Sequence, residues 1–243
     1  MVIRFDNKRV LITGGTRGIG YEVATSFTSL GANVVVTGTS KHRPLHLDSK
    51  IAYEQLFISQ KTNWHRQIED IINKYDGFDI LINNAGINKV NPIYKTEQDD
   101  LDNILLTNLN APIYITSKIS EKMISQNGGY IINIGSIFGV VSRHGRNPYT
   151  ASKSGLIGVT KTMAIDLAKY NIFVNCISPG FVETELTKKV LGEKGIKEVS
   201  LKIPMQRLAK VADIAPTILF LCSNYNTYIT GQNILIDGGF VLE

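Results

Sequence analysis

Short runs of β-branched and other apolar residues alternate along the chain with longer segments whose apolar positions recur at helical spacing. Seven runs stand out: Val10–Thr13, Asn33–Thr37, Gln55–Ile58, Asp79–Asn83, Tyr130–Gly135, Phe173–Ser178 and Asn233–Asp237. Most are apolar at successive positions, as strands buried on both faces require. Strand, helix, strand repetition implies right-handed crossovers, and so predicts an α/β fold: a doubly wound parallel β-sheet with helices on both faces. One stretch departs from the rhythm. Residues 40–60, SKHRPLHLDSKIAYEQLFISQ, carry Pro44 and scattered polar residues, so the crossover helix expected there should be short or missing. No composition shift, linker or repeat divides the chain, and a single domain over 1–243 is expected.

Composition narrows the class. At 243 residues, with 43% hydrophobic and 19% charged, there is enough apolar material for one large core and too little charge for disorder. The net charge of +5 is spread over scattered residues such as Lys41, Arg43, Lys194 and Lys197, which favours a small anionic ligand over nucleic acid. Cys176 and Cys222 both sit in apolar stretches, so no disulfide framework is indicated. The N-terminal MVIRFDNKRV lacks a signal peptide's apolar centre, and no apolar run approaches the roughly 20 residues that span a bilayer. A soluble protein of a reducing cytoplasm, without membrane partner, is the expectation.

The first strand runs into Thr13-Gly-Gly-Thr-Arg-Gly-Ile-Gly20, and a helical pattern follows at once. Gly14 permits a tight turn, Gly18 lets backbone approach a pyrophosphate, and Gly20 lets the helix pack closely, with phosphates meeting its positive N-terminus. Such turns also occur as plain bends, so the strand-turn-helix context carries the argument. It is that of a Rossmann-type site. An acid at the end of the second strand would bind a ribose hydroxyl and repel a 2′-phosphate; Thr37-Gly38-Thr39-Ser40-Lys41-His42-Arg43 contains none. Arg17 adds a cation suited to phosphate, whereas Lys41 and Arg43 read as solvated charges. NADP(H) is therefore expected over NAD(H).

Pro148 suits the first turn of a long helix, and Tyr149 and Lys153, four apart, share one of its faces. A neighbouring ammonium would stabilise the phenolate and tune the tyrosine for proton transfer. Ser136 lies thirteen positions before Tyr149, at the C-terminal end of a predicted parallel strand, where ligands bind in open sheets. Tyr-x-x-x-Lys alone is frequent by chance. Here it follows TGGTRGIG, Asn83-Asn84-Ala85-Gly86, Asn108 and Ser136, and precedes Pro179-Gly180 and Thr184.

In that order, across essentially the whole chain, these segments resemble the short-chain dehydrogenase/reductase family, an enzyme family acting on CH–OH groups. The resemblance implies that Tyr149 is a general acid/base, that Lys153 contacts the nicotinamide ribose, that Ser136 orients a carbonyl, and that Asn108 holds a proton-relay water. It places Gly14, Thr16, Arg17, Gly18, Ile19, Gly20, Thr39, Asn84, Ala85, Gly86, Tyr149, Lys153, Pro179, Gly180, Val182 and Thr184 among the cofactor contacts. The closing segment Tyr228-Ile229-Thr230-Gly231-Gln232, with Asp237-Gly238-Gly239, is similar to bacterial 3-oxoacyl carrier-protein reductases. Asn91-Pro92-Ile93-Tyr94-Lys95-Thr96 is more like sugar and polyol relatives. Phe57 stands where such proteins commonly carry an adenine-binding Asp.

Three functions stay open: an NADPH-dependent 3-oxoacyl reductase with a carrier-protein-linked substrate, a sugar, sugar-nucleotide or polyol dehydrogenase, and a non-catalytic NADP-binding regulator. The intact Asn108, Ser136, Tyr149 and Lys153 set argues against the last. Family likeness also implies a homotetramer or homodimer, pairing helices around 100–125 and 149–170. No metal site is expected, because Pro44 separates His42 from His46 and no further ligand completes a set. His144 and Arg146 flank the loop between Ser136 and Tyr149, facing either substrate or solvent, and Trp64 reads as packing.

Overall fold

The computed structural model describes residues 2–242. Seven strands, β1 (Arg9–Ile12), β2 (Asn33–Gly38), β3 (Ala52–Gln55), β4 (Ile80–Asn83), β5 (Gly129–Ile134), β6 (Ile172–Pro179) and β7 (Asn233–Ile236), form one sheet. Their order is β3-β2-β1-β4-β5-β6-β7, and every pairing is parallel. Chain direction across the sheet reverses between β1 and β4, which opens a crevice at the strands' carboxyl ends. The helices are α1 (Gly18–Ser29), α2 (Trp64–Lys74), α3 (Gln98–Leu105), α4 (Ala111–Gln126), α5 (Asn147–Ala168), α6 (Glu185–Ser200) and α7 (Val211–Leu221). None of the described helices is long and apolar enough to cross a membrane.

Double coverage explains the continuous apolar runs. Val10 and Ile12 of β1, with Val34, Val36, Ile80 and Ile82, pack under Val23 and Phe27 of α1 and Ile214 and Ile218 of α7. The intervening Leu11, Val35 and Leu81 point the other way, against Ile68 of α2, Ile115 and Ile119 of α4, and Leu167 of α5. Because strand side chains alternate, a strand covered on both faces leaves no position for a solvated residue.

The third strand begins three residues before the predicted 55–58. It lies at the sheet edge with one neighbour, so polar residues are tolerated: Glu54 accepts from Lys74 Nζ at 2.6 Å and the Tyr75 hydroxyl at 2.7 Å. The more apolar Leu56 follows the strand and is buried. As expected, no helix joins β2 to β3. The connection is instead held by Arg43, whose guanidinium donates to the carbonyls of Leu47, Asp48 and Ile51. That corrects the reading of Arg43 as a solvated charge: it closes the loop and keeps Leu47 and Ile51 in the core.

A buried polar row crosses the middle of the sheet. Asn83 Nδ2 donates to Thr116 Oγ1 at 3.1 Å and to Asn133 Oδ1 at 2.9 Å, and Asn133 Nδ2 donates to Thr160 Oγ1 at 2.9 Å. These bonds pin α4 and α5 to the ends of β4 and β5, next to Asn84 and Ser136. Asn133→Ala should lower the unfolding free energy by about 1–3 kcal/mol, as a drop in urea midpoint with unchanged slope. An unchanged midpoint would show that the row does not hold the helices.

Candidate active site

The glycine turn lies at the switch point. Gly14 has φ +64°, and a Cβ there would stand 3.0 Å from Ala85 Cα, so neither backbone conformation nor space admits a side chain. At Gly20 a Cβ would meet Asn84 Nδ2 at 2.5 Å. Arg17 takes the N-cap position of α1 without a side-chain cap, and the first turn contains no acid. The leading N–H groups of α1 therefore face the crevice beside the positive end of the helix dipole, as an anionic pyrophosphate requires. Arg17 is exposed beside them, and Thr16 and Ile19 are half-buried in the same turn.

Side chains brace this turn to the end of β4. Thr13 Oγ1 accepts the N–H groups of Asn84 and Ala85, both at 3.0 Å, and Asn84 Nδ2 donates to the carbonyls of Thr13 and Gly14, both at 2.9 Å. Thr13 was missing from the predicted contacts, though its place as the last polar residue of an apolar strand was the available signal. A second brace, from the helix-free loop, was illegible in sequence: His46 Nε2 lies 2.8 Å from the Thr16 carbonyl, and Tyr21 donates to the His46 carbonyl at 3.2 Å. Thr39 is exposed just beyond β2, its carbonyl accepting the Gln55 amide at 3.0 Å. Phe57, past the end of β3, is exposed, and its N–H donates to Gln67 Oε1 at 3.1 Å.

Beyond Ala85 the chain approaches Asn108 and Lys153. A Cβ on Gly86 would lie 3.4 Å from Asn108 Oδ1 and 3.7 Å from Lys153 Nζ. Asn108 sits within a π-helical turn, Leu106–Asn110, that joins α3 to α4. Its fully buried amide accepts from Ile87 N–H at 2.8 Å and donates to the Ile87 carbonyl at 2.9 Å and Ser152 Oγ at 3.2 Å. The side chain is thus spent on protein partners, while the π turn interrupts the regular backbone ladder beside it.

Ser136 lies two residues beyond β5, buried, accepting Phe138 N–H at 3.1 Å. Tyr149 lies in the first turn of α5, and Lys153 Nζ is 5.7 Å from its ring centroid. Burial raises the Tyr149 phenol above its ordinary value, opposed by a hydrogen bond with Ser136 and by the Arg146 guanidinium. Sequence spacing had assigned that tuning to Lys153; Arg146 supplies an attraction it did not foresee. Lys153, also buried, donates to the Ile134 carbonyl at 2.7 Å, and desolvation pushes its pKa down to about 8. No other partner among the described residues takes its remaining donors, so they are left for a ligand.

Residues after β6 close the other side. Pro179 ends the strand, Gly180 N–H donates to the Ile236 carbonyl at 2.9 Å, and Val182 is buried in a bridge to Ala209. Thr184 caps α6, and its methyl would stand 3.5 Å from a Cβ on Gly18. The glycine turn thus adjoins Thr184, and Gly86 adjoins Asn108 and Lys153. His42 and His46 are joined by no third His, Cys, Asp or Glu in a metal-binding group among the described residues.

A dinucleotide cradle at the switch point of a doubly wound sheet, leading to a Ser-Tyr-Lys cluster, defines an NAD(P)-dependent oxidoreductase acting on CH–OH groups. A family model described as enoyl-(acyl carrier protein) reductase matches residues 14–241. The 3-oxoacyl-[acyl-carrier-protein] reductase FabG of Aquifex aeolicus is 36% identical over 247 residues, covering 98% of this chain and 99% of that protein. Its namesake from Thermotoga maritima is 36% identical over 250 residues, covering 99% and 100%. The chain belongs to the short-chain dehydrogenase/reductase family. A gluconate 5-dehydrogenase from Burkholderia cenocepacia, solved in complex with NADP and tartrate, superposes with a TM-score of 0.91 at 28% identity, covering 99% of this chain and 97% of that one. ElxO with NADP bound gives 0.88 at 31% identity, covering 98% and 100%.

The displaced Lys153 has a consequence for the cofactor-free protein. Its folded pKa, about 8, lies below the ordinary 10.5, so the unfolded chain binds more protons between these values and stability rises with pH through that window. Below the window the burial penalty is fully present. Unfolding free energy should gain up to about 3 kcal/mol from this group across it, and Lys153→Met should abolish that gain. Urea titrations of both proteins at the two ends of the window test this; parallel pH dependence would contradict it.

Proposed function

We propose that this chain is an NADP(H)-dependent enzyme that interconverts a ketone and a secondary alcohol, with Tyr149 moving the proton. The observation that carries the reading is the buried Lys153 ammonium with unspent donors, placed between Gly86, Tyr149 and the end of β5. Gly14, Thr16, Arg17, Gly18, Ile19 and Gly20 hold the pyrophosphate and adenosine phosphate; Asn84, Ala85 and Gly86 line the middle of the crevice; Pro179, Gly180, Val182 and Thr184 hold the far end. When bound there, the nicotinamide supplies hydride to the carbonyl carbon. Ser136 and Tyr149 hold the carbonyl oxygen, and Tyr149 gives it a proton, completing the alcohol. Lys153 binds ribose, while Ser136 and Arg146 oppose the burial that raises the phenol. Asn108 fixes the π turn, whose backbone is available to a relay water. The two NADP-bound relatives and the lack of an acid after β2 support NADP(H) over NAD(H).

The curated relatives' names support a 3-oxoacyl substrate on a carrier protein. The fit to the gluconate 5-dehydrogenase supports a second reading, a hydroxy- or keto-sugar acid. The intact site disfavours a purely regulatory protein. A homotetramer or homodimer in the cytoplasm completes the proposal.

Tyr149→Phe should lower kcat by roughly two to four orders of magnitude with NADPH affinity nearly unchanged. Lys153→Ala should weaken both together. Steady-state rates with NADPH titrations separate the two, and near-normal turnover by Tyr149→Phe would refute the proton assignment. Arg17→Ala should reduce NADPH affinity by about 1.5–3 kcal/mol while barely changing NADH affinity. Equal losses for both cofactors would remove Arg17 from the 2′-phosphate.

A further inference from the structure

The wall of the crevice outside Tyr149 carries two arginines with no acidic counterpart among the described residues. Arg146, the residue before α5, has a half-buried guanidinium whose Cζ stands 5.1 Å from the Phe138 ring centroid. Arg143 Cζ stands 5.9 Å from the Phe181 ring, and the two rings meet edge to face at 5.9 Å. An aromatic pair thus carries a guanidinium on each member, one reached from the end of β5 and the other from the end of β6. Arg146 Nε is buried without a hydrogen-bond partner, and no ion pair with either arginine occurs among the described residues. Lys89, nearby in sequence to the facing loop, is by contrast paired with Asp100 at 2.6 Å. Arg143 and His144 also line an open groove of about 450 Å³, with Pro92, Ile93 and Tyr94 on its other side.

A guanidinium withdrawn from water with an unsatisfied donor costs free energy unless an anion meets it. Stacking on an aromatic face orients it without consuming its hydrogen bonds, which leaves its fork free for a carboxylate or phosphate. Arg146 is the N-cap of α5, whose first turn carries Tyr149, and its charge opposes the rise of that phenol, so the anion it binds lies near the reacting carbonyl. We propose that Arg146, assisted by Arg143, forms an anion subsite that selects short keto acids, whose charged group and carbonyl belong to one small molecule. This rests on the ketone-reduction reading and deepens it. A carrier-protein substrate would present its phosphate at the far end of a long pantetheine arm, away from Tyr149, and fits this placement less well.

The test is NADPH consumption with matched pairs, acetoacetate against methyl acetoacetate and 5-keto-D-gluconate against its methyl ester, beside an acetoacetyl thioester of acyl carrier protein. At least one acid should exceed its ester in kcat/KM by roughly ten- to hundredfold, the scale of one charge-assisted bond. Arg146→Gln should collapse that ratio toward one, and Arg146→Lys should restore part of it. A structural lesion lowers both members of a pair and leaves the ratio standing. Acid and ester reduced equally, a ratio unaffected by Arg146→Gln, or reduction of the thioester alone would each overturn the subsite while leaving ketone reduction intact. If no carbonyl consumes NADPH, the ketone-reduction reading fails and the subsite with it.

Discussion

The arrangement depends on the bonds that cross the switch point between β1 and β4. Thr13 accepts two N–H groups from the residues after β4, and Asn84 returns two bonds to the carbonyls of Thr13 and Gly14. Parallel strands alone would leave the two loops to diverge on opposite sides of the sheet. Tied together, they put the uncapped start of α1 and the Gly86 backbone in one fixed frame. Gly86 in turn stands against Asn108 and Lys153. The glycine-turn end and the Lys153 end of the crevice are thereby set by the same few hydrogen bonds, and the buried Asn83–Asn133–Thr160 row holds α5 to that frame.

Electrostatics in the site follow from burial. Removing Lys153 from water disfavours its charged form, and removing Tyr149 from water disfavours the phenolate, so both protonation equilibria move toward the neutral species. Opposing forces come from nearby donors, Ser136 and Arg146. A group poised between forms exchanges protons with less driving-force penalty than one locked in either. Arg146 therefore has two features at once: it moderates the rise of the Tyr149 phenol, and its buried Nε has no hydrogen-bond partner among the described residues.

Much of this was legible in the residues. Successive apolar positions marked the two-sided strands, and TGGTRGIG after one of them located the cradle, because the turn needs glycine at Gly14 and Gly20 for reasons of space as well as conformation. The spacing of Tyr149 and Lys153 placed both on one helix face. What escaped was set by tertiary neighbours. Edge strand β3 carries Glu54 and Gln55 because one side of it is free of the sheet, so its composition looked unlike a strand's. Arg43 and His46 took structural work in a loop whose path no local pattern dictates. For Arg146 the sequence left substrate and solvent as alternatives, because its aromatic shelf and the absence of a partner for its Nε among the described residues are tertiary features.

In the proposed reaction this crevice brings a nicotinamide carbon and a substrate carbonyl together on one face, with Tyr149 completing the reduction. Isotope transfer reads it directly. NADPH deuterated at C4 on one face or the other is incubated with a carbonyl substrate, and the alcohol product is weighed by mass spectrometry. One diastereomer should deliver its deuterium to the carbinol carbon while the other delivers none. Label from neither diastereomer, or equal label from both, would contradict it.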